Sequence, residues 1–343
     1  MKDICNYSLL RHNTFGIDAR CNRYVAVSSV DELRSVLPQL AGTRLLIIGG
    51  GSNLLLTTDF QGTVLRAAII GFSVTQVGND IFMRCGAGEL WDDIVALSVE
   101  NGWFGAENLS LIPGEVGATA VQNIGAYGVE ASDIIHKVEA VDLQTGDVVS
   151  FSNADCCYGY RTSRFKHDWR NRYLITHVTY RLSRIFTPHL DYGNLRSVVD
   201  AAGDGLTPLS LRQHIIAVRR DKLPDPAVEG NAGSFFMNPV IPASQFSELQ
   251  AAYPQIPFYR VDSSDESASS AEQMVKVPAA WLIDQCGWKG RIVGHAGVHS
   301  RQPLVLVNKG GATGAEIVEL AHSIIADVEQ HFHIRLQPEV NIV

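Results

Sequence analysis

Three consecutive glycines, Gly49-Gly50-Gly51, follow the apolar run Leu45-Leu46-Ile47-Ile48 and lead into Ser52-Asn53-Leu54-Leu55. Far downstream lies a second glycine-bearing stretch, Ile112-Pro113-Gly114-Glu115 through Gly117-Ala118 to Gln122-Asn123-Ile124-Gly125-Ala126-Tyr127-Gly128. A strand that runs into glycines lets main-chain N–H groups approach an anion with no Cβ in the way, as in a backbone nest. Two such segments together point to a dinucleotide held by backbone. The first loop contains no lysine, and neither Gly-x-x-x-x-Gly-Lys nor Gly-x-Gly-x-x-Gly occurs there, so the nucleoside-triphosphate and Rossmann readings lose their signature. Gly86-Ala87-Gly88-Glu89-Leu90-Trp91 imitates the latter but puts a tryptophan where close helix–strand packing needs the third glycine.

With 343 residues the chain exceeds the usual size of one hydrophobic core, which predicts two or three domains. A formal charge of −8 and the absence of a Lys/Arg cluster exclude the usual electrostatics of a nucleic-acid binder. The start Met1-Lys2-Asp3-Ile4-Cys5-Asn6 lacks the pattern of a secretory leader, and no apolar run is long enough to cross a bilayer, so a cytosolic location is expected. Six cysteines show no zinc-type spacing and are read as reduced thiols, with Cys156-Cys157 expected as two small buried residues on a short helix. No H-E-x-x-H occurs, so no metal site is expected.

The first segment reads strand (24–27), helix (29–40), strand (45–48), with Ser29 and Glu32 at capping-box spacing. Short strands follow: a hairpin around Gly78-Asn79-Asp80, a second around Gln144-Thr145-Gly146, and an alternating stretch from Tyr173 to Leu182. Helices are predicted over 91–100 and 209–220, and residues 262–273, rich in Ser, Asp and Glu, read as a surface loop. Thr313 and Glu316 form another capping box, opening a long helix whose face is Ile317, Leu320, Ala321, Ile324, Ile325 and Val328. The end of the chain alternates Ile334, Leu336, Val340 and Ile342 with Arg335, Gln337, Glu339 and Asn341, which predicts a strand with one buried and one polar face.

Three polar residues stand out as chemistry. Arg161, in Tyr158-Gly159-Tyr160-Arg161-Thr162-Ser163-Arg164-Phe165-Lys166, suits bidentate binding of a carboxylate; the alternative is a surface salt bridge. Glu339 is a solvated surface carboxylate unless its face lines a cleft. Ser234, in Gly230-Asn231-Ala232-Gly233-Ser234-Phe235-Phe236, would by itself be a turn serine, because neither G-x-S-x-G nor S-x-x-K surrounds it.

Taken in order, the glycine loop, the 112–128 segment, Tyr160-Arg161, Gly230 to Phe236, Trp281-Leu282-Ile283-Asp284-Gln285-Cys286-Gly287 and Pro338-Glu339-Val340 resemble the successive motifs of the UDP-N-acetylenolpyruvoylglucosamine reductase (MurB) family across nearly the whole chain. That resemblance implies an α+β protein of three domains, a two-domain FAD-binding module of the vanillyl-alcohol-oxidase (PCMH) type and a C-terminal α+β domain for the UDP-sugar. The boundaries expected are 1–69 with 333–343, 70–205, and 206–332. It further implies a cytoplasmic, monomeric flavoenzyme of bacterial peptidoglycan synthesis, with non-covalent FAD and NADPH as electron donor. NADPH reduces FAD and leaves, and the enolpyruvyl ether of the UDP-sugar is then reduced in ping-pong fashion.

Residue by residue, the resemblance implies that Arg161 and Glu339 stand beside the enolpyruvyl group and that Ser234 donates a proton to carbon, where some relatives have cysteine. FAD contacts fall to Gly49, Gly50, Gly51, Ser52, Asn53, Pro113, Gly117, Ala118, Gln122, Ile124, Gly125, Ala126 and Tyr127, with Arg219 at the phosphates. Tyr160 and the mobile-loop residue Tyr192 meet the substrate, and Lys222, Asn238 and Gln302 meet its diphosphate. Two other readings stay open: an FAD-dependent oxidase or dehydrogenase of another sugar or alcohol, and a non-catalytic nucleotide-sugar-binding protein.

Overall fold

In a computed structural model, residues 1–191, 195–197, 205–260 and 273–343 are described. They group into two compact units: Met1–Ser8, Arg20–Gly51 and Phe60–Asp221 form one, and Leu9–Ala19, Ser52–Asp59 and Lys222–Val343 the other. Tyr192 and all but the last residue of the loop predicted over 262–273 lie outside the described residues.

The first unit holds β1 (Lys2–Ser8), β2 (Arg20–Val27), β3 (Leu45–Ile48), β4 (Phe60–Ala67), β5 (Phe72–Val77), β6 (Asp80–Gly86), β7 (Ile135–Asp142), β8 (Val148–Ser152) and β9 (Tyr173–Ser183). Its helices are α1 (Val30–Leu40), α2 (Trp91–Glu100), α3 (Val116–Gln122) and α4 (Pro208–Lys222), whose last residue falls in the second unit. One sheet runs β1-β2-β4-β3, with β2, β4 and β3 parallel and β1 antiparallel at the edge. The other is an antiparallel sheet in the order β8-β7-β9-β6-β5.

Local chemistry accounts for these elements. Helix α1 buries Leu33, Val36 and Leu40, and the Ser29 hydroxyl accepts the Glu32 N–H at 3.1 Å. The return arm of the expected capping box goes elsewhere: the Glu32 carboxylate accepts from the Ser28 N–H at 2.7 Å and pairs with the Met1 ammonium at 2.6 Å, because β1 brings the chain start to this helix. Gly78 and Asn79 turn the chain from β5 to β6, with Gly78 at φ +60°. Gly86 and Gly88 serve close backbone approach, since a Cβ on either would meet the backbone of Ile69 or Ala67. Trp91 is buried and donates its ring N–H to the Leu109 carbonyl at 2.9 Å. Cys156 is buried as expected, but Cys157 is exposed and left-handed (φ 45°), ending a single turn of 3-10 helix.

The second unit holds β10 (Gly230–Ser234), β11 (Val240–Pro242), β12 (Met274–Lys276), β13 (Ala296–Val298) and β14 (Val305–Asn308), with α5 (Ala243–Ala252), α6 (Ala279–Gln285) and α7 (Gly314–Phe332). One sheet runs β10-β14-β13 and is flanked by Ile292–Val293; a smaller one centres on β12. Helix α7 packs on β13, β14 and α6 through Ile317, Leu320, Ala321, Ile324, Ile325, Val328 and Phe332, all buried. Both arms of its capping box are made, and His333 closes it in a left-handed turn (φ 55°).

The predicted terminal strand is two short pairings with different partners. The Met237 N–H donates to Gln337 O at 2.9 Å and the Glu339 N–H to Phe235 O at 2.8 Å, after which Asn341–Ile342 runs parallel to Leu54–Leu55. Pro338, which has no N–H, sits inside the first pairing opposite Phe236, and the change of partner follows Glu339. Ile334, Leu336 and Val340 are buried as the alternation predicts, whereas Ile342 is 41% exposed.

Candidate active site

In the first unit the two glycine-rich segments lie against each other. A Cβ on Gly50 would stand 3.7 Å from Gly114 Cα, in ordinary contact, and one on Gly49 would be 3.2 Å from Glu115 Oε2, in tight contact. Gly51 takes a left-handed turn at φ +71°. Beneath them Glu115 is 3% exposed and ion-paired with Arg66. Burial pushes the Glu115 carboxyl above its ordinary range against the pull of the guanidinium. Gly117 and Ala118 form the first turn of α3. The Gly117 N–H donates to Ala87 O and the Ala118 N–H to Glu115 O, both at 2.9 Å.

Arg161 occupies a tight two-residue turn closed by reciprocal Gly159–Thr162 backbone bonds of 3.1 Å, and its φ of +56° is unusual for a non-glycine residue. Its guanidinium donates to Gly125 O at 2.5 Å and to Asn123 O at 3.4 Å, stacks 5.2 Å from the Tyr160 ring centre, and stands 3.8 Å from Glu130. A Cβ at Gly125 would be 2.6 Å from this guanidinium, so Arg161 in this position leaves no room for a side chain there and would have to shift to admit one. Lys166 donates to Gln122 Oε1 at 2.9 Å and to Arg161 O at 3.0 Å, tying two predicted site residues together. Asn123, wholly buried and left-handed (φ 44°), donates to Glu130 at 2.7 Å and to Gly159 O at 2.9 Å. The segment from Gln122 to Tyr127, including Ile124 and Ala126, is thereby fixed to the Arg161 turn.

A cationic cluster adjoins this segment. Leu111 is left-handed (φ 57°); its N–H donates to Asp92 at 2.6 Å, and its carbonyl accepts from Arg219 at 3.3 Å. Arg212 pairs with Asp92 at 2.7 Å. Burial works to raise Asp92, yet the bonds from Arg212 and Leu111 hold its carboxyl below the usual range. Burial lowers Arg219 from its ordinary value, with Arg161 acting in the same direction and Tyr127 and Asp92 opposing. Pro113 belongs to the same loop.

The second unit brings Ser234, Glu339, Gln302 and Asn53 onto neighbouring backbone. Between Asn231↔Val307 and Ser234↔Val305 the β10–β14 ladder takes in one extra residue, and Gly233 (φ +70°) absorbs the distortion, with its N–H donating to Asn231 Oδ1 at 2.9 Å. Such a bulge re-aims the following side chain. Phe235 donates to Leu304 O at 2.7 Å and accepts from the Glu339 N–H, while Asn53 Nδ2 donates to Glu339 O at 3.3 Å. Asn238 accepts the Ala279 N–H at 2.9 Å and so caps α6. Ser52 is half-buried, Gln302 half-buried in the turn before β14, and Lys222 exposed at the end of α4. Arg161 and the Gln122–Tyr127 segment thus belong to one unit, and Ser234 and Glu339 to the other.

Lys166, Asn123, Glu115 with Arg66, and Asp92 with Arg212 were assigned no role from the sequence. The first three stand inside the quoted motifs, where a polar residue amid glycines was the available signal. Arg66, Asp92 and Arg212 carry no local mark, since their partners are remote in sequence. Among the described residues, no cluster of His, Cys, Asp and Glu could hold a metal ion, and no helix is long and apolar enough to cross a membrane.

The family model for the UDP-N-acetylenolpyruvoylglucosamine reductase C-terminal domain matches residues 225–343, and that for an FAD binding domain matches residues 22–152. The UDP-N-acetylenolpyruvoylglucosamine reductase of Bacteroides fragilis (strain YCH46) is 49% identical over 339 residues, covering 98% of this chain and 99% of the relative. The corresponding protein of Paraburkholderia phymatum is 44% identical over 342 residues, covering 98% and 96%. The crystal structure of UDP-N-acetylenolpyruvylglucosamine reductase (MurB) from Thermus caldophilus matches with a TM-score of 0.67 at 20% identity, over 99% of this chain and 98% of that one, which shows a shared fold. With the α+β architecture and FAD-binding match in place, the chain belongs to the UDP-N-acetylenolpyruvoylglucosamine reductase family.

Proposed function

We propose that this chain reduces the enolpyruvyl ether of UDP-N-acetylglucosamine enolpyruvate to the lactyl ether, giving UDP-N-acetylmuramate for peptidoglycan synthesis. The observation that carries the reading is 49% identity to a reductase of this name along 99% of its length. The residues present fit a flavin dinucleotide. Gly50 and Gly114 leave a side-chain-free approach, and the cluster of Arg212 and Arg219 against the single carboxylate of Asp92 leaves positive charge for a diphosphate. Gly49, Gly50, Gly51, Ser52, Asn53 and the segment from Pro113 to Tyr127 would hold it, with Arg219 at the phosphates. When bound, FAD supplies the hydride relay from NADPH to the enolpyruvyl methylene carbon.

The protein's own part is orientation and electrostatics. Negative charge that develops on the enolpyruvyl carboxylate is met by the Arg161 guanidinium, already fixed by Gly125 and Asn123; a preorganised donor of this kind is worth roughly 3 kcal/mol. Ser234 donates the proton to carbon, a task within reach of a hydroxyl only because the accepting centre is a strong base held close by. Glu339, if ionised, would oppose the developing charge, so it acts as the neutral acid or by orienting Arg161. Tyr160, Tyr192, Lys222, Asn238 and Gln302 bind the UDP-sugar; Asn238 commits its oxygen to capping α6 and offers its amide NH2. The domains of this reading are 1–69 with 333–343, 70–205 and 206–332; the parallel pairing of Asn341–Ile342 with Leu54–Leu55 joins two parts of the first, both of which lie in the second compact unit. The finer reading includes a monomer acting in the cytoplasm.

Anaerobic mixing of the NADPH-reduced protein with UDP-N-acetylglucosamine enolpyruvate should return the flavin to its yellow oxidised form; a flavin that stays reduced rejects this function. Ser234→Ala should leave flavin reduction by NADPH nearly intact and slow reoxidation by about 10²–10⁴-fold, the range of general acid–base catalysis. Equal loss in both half-reactions rules out the proton-donor role.

A further inference from the structure

His299 is 7% exposed at the head of the turn that joins β13 to β14. The Gln302 N–H donates to its ring Nδ1 at 3.2 Å, its own N–H donates to Val305 O at 2.9 Å, and the Val305 N–H donates back to Gln302 O at 3.0 Å. Gln302 Oε1 accepts the Leu304 N–H at 3.4 Å, so the side-chain amide donor is the half of Gln302 that can meet a phosphate oxygen. Leu304 O accepts the Phe235 N–H at 2.7 Å, Val305 lies opposite Ser234 in the ladder, and Phe235 O accepts the Glu339 N–H at 2.8 Å. A run of hydrogen bonds and ladder pairing therefore leads from the imidazole to Gln302, to the backbone beside Ser234 and to Glu339.

We propose that His299 is a positioning residue, which through Nδ1 fixes the 299–305 turn and through that turn sets the placement of Gln302, Ser234 and Glu339. The claim that substrate is affected rests on the function proposed above; the hold on the turn does not. An imidazole nitrogen that accepts must be unprotonated, and an imidazolium would set a second donor against the Gln302 N–H. Burial keeps His299 below its ordinary value of 6.5. Arg301 in the turn and Lys309 after β14 act the same way, and Glu229 before β10, itself paired with Lys309 at 2.5 Å, opposes them. The hold is complete above pH 6.5 and is lost as pH falls through the lowered value.

The test compares the full-length, FAD-loaded wild type with His299→Leu and His299→Asn; asparagine keeps an acceptor near the Nδ1 position. Peptide-resolved hydrogen exchange, corrected for intrinsic rates, should show lost protection over 234–237 and 300–305 in His299→Leu and most of it restored in His299→Asn. Calorimetric affinity of the oxidised protein for UDP-N-acetylglucosamine enolpyruvate should fall roughly ten-fold in the leucine variant, the scale of one lost buried hydrogen bond. In the wild type both protection and affinity should decline below pH 6.5, and in His299→Asn this acid limb should vanish. Unchanged exchange in His299→Leu overturns the proposal, as does an acid limb that persists in His299→Asn. If the leucine variant does not fold, the asparagine variant decides through the acid limb alone. A wild-type flavin that the sugar nucleotide cannot reoxidise overturns the function instead, and the exchange measurement still judges the hold on the turn.

Discussion

The Arg161 turn and the Ser234 bulge both present a polar group from irregular backbone, but they are held in different ways. Arg161 carries the left-handed conformation itself and is fastened by contacts to side-chain and carbonyl groups: Gly125 O, Asn123 O, the Tyr160 ring and Lys166. At the bulge, Gly233 takes the left-handed conformation and the backbone ladder aims Ser234. The difference tracks side-chain entropy. A free arginine has about 2 kcal/mol of rotamer entropy to lose and needs many partners to stay in one geometry, whereas a serine has a single short rotor that the backbone aims.

Three substitutions test that contrast. The largest effect is expected from Gly125→Ala, whose Cβ would lie 2.6 Å from the Arg161 guanidinium. Displacing that donor should slow flavin reoxidation by about 10²-fold or more. Stopped-flow rates like those of the wild type would show that Arg161 moves aside at no cost and break the comparison. Lys166→Met removes the bonds to Gln122 and the Arg161 carbonyl, and about a ten-fold loss in the same rate is expected, corresponding to ~1.4 kcal/mol. Gly233→Ala meets no atom within 4 Å, so only the φ of +70° opposes it. Urea unfolding should reveal about 1–2 kcal/mol of lost stability with reoxidation little changed; a rate loss matching Gly125→Ala would erase the distinction.

The smallest effect concerns an ion pair that takes no part in the site. Arg84, then Lys137, hold the Glu139 carboxyl down from 4.5 to about 2 against its burial. A depressed carboxylate contributes stability that is present above pH 4.5 and is lost as pH falls towards 2. Glu139→Gln should therefore flatten the acid limb of the stability curve in that window. A limb of unchanged steepness would assign the acid sensitivity to other carboxylates.

What could be read in advance follows the range of the forces. Helices 91–100 and 314–332 are local objects, set by apolar period and caps, and they appear at or within a residue of where Trp91, Thr313 and Glu316 place them. The end of the chain alternates just as clearly, yet two different partners divide it after Glu339, and partner choice has no local signature. The Ser29–Glu32 box loses its second arm to Ser28 and Met1 for the same reason. In the site, the meeting of the two glycine-rich segments, Gly50 against Gly114, was foreshadowed by the glycines themselves, which mark where backbone can come close. The crowding at Gly125 was not, since it arises from a side chain 36 positions away.

The interleaving of the two units has a consequence for how such a chain can be divided. Leu9–Ala19 and Ser52–Asp59 belong with Lys222–Val343. Thr14 O accepts the Asn231 N–H at 3.0 Å, Phe15 O accepts from Asn308 at 2.9 Å, and the backbone of Leu56 is so near Gly314 that no Cβ fits between them. A fragment beginning at residue 222 would expose those docking grooves, and neither half can be transplanted as one uninterrupted cassette. Excision of either early segment would unlace the later one.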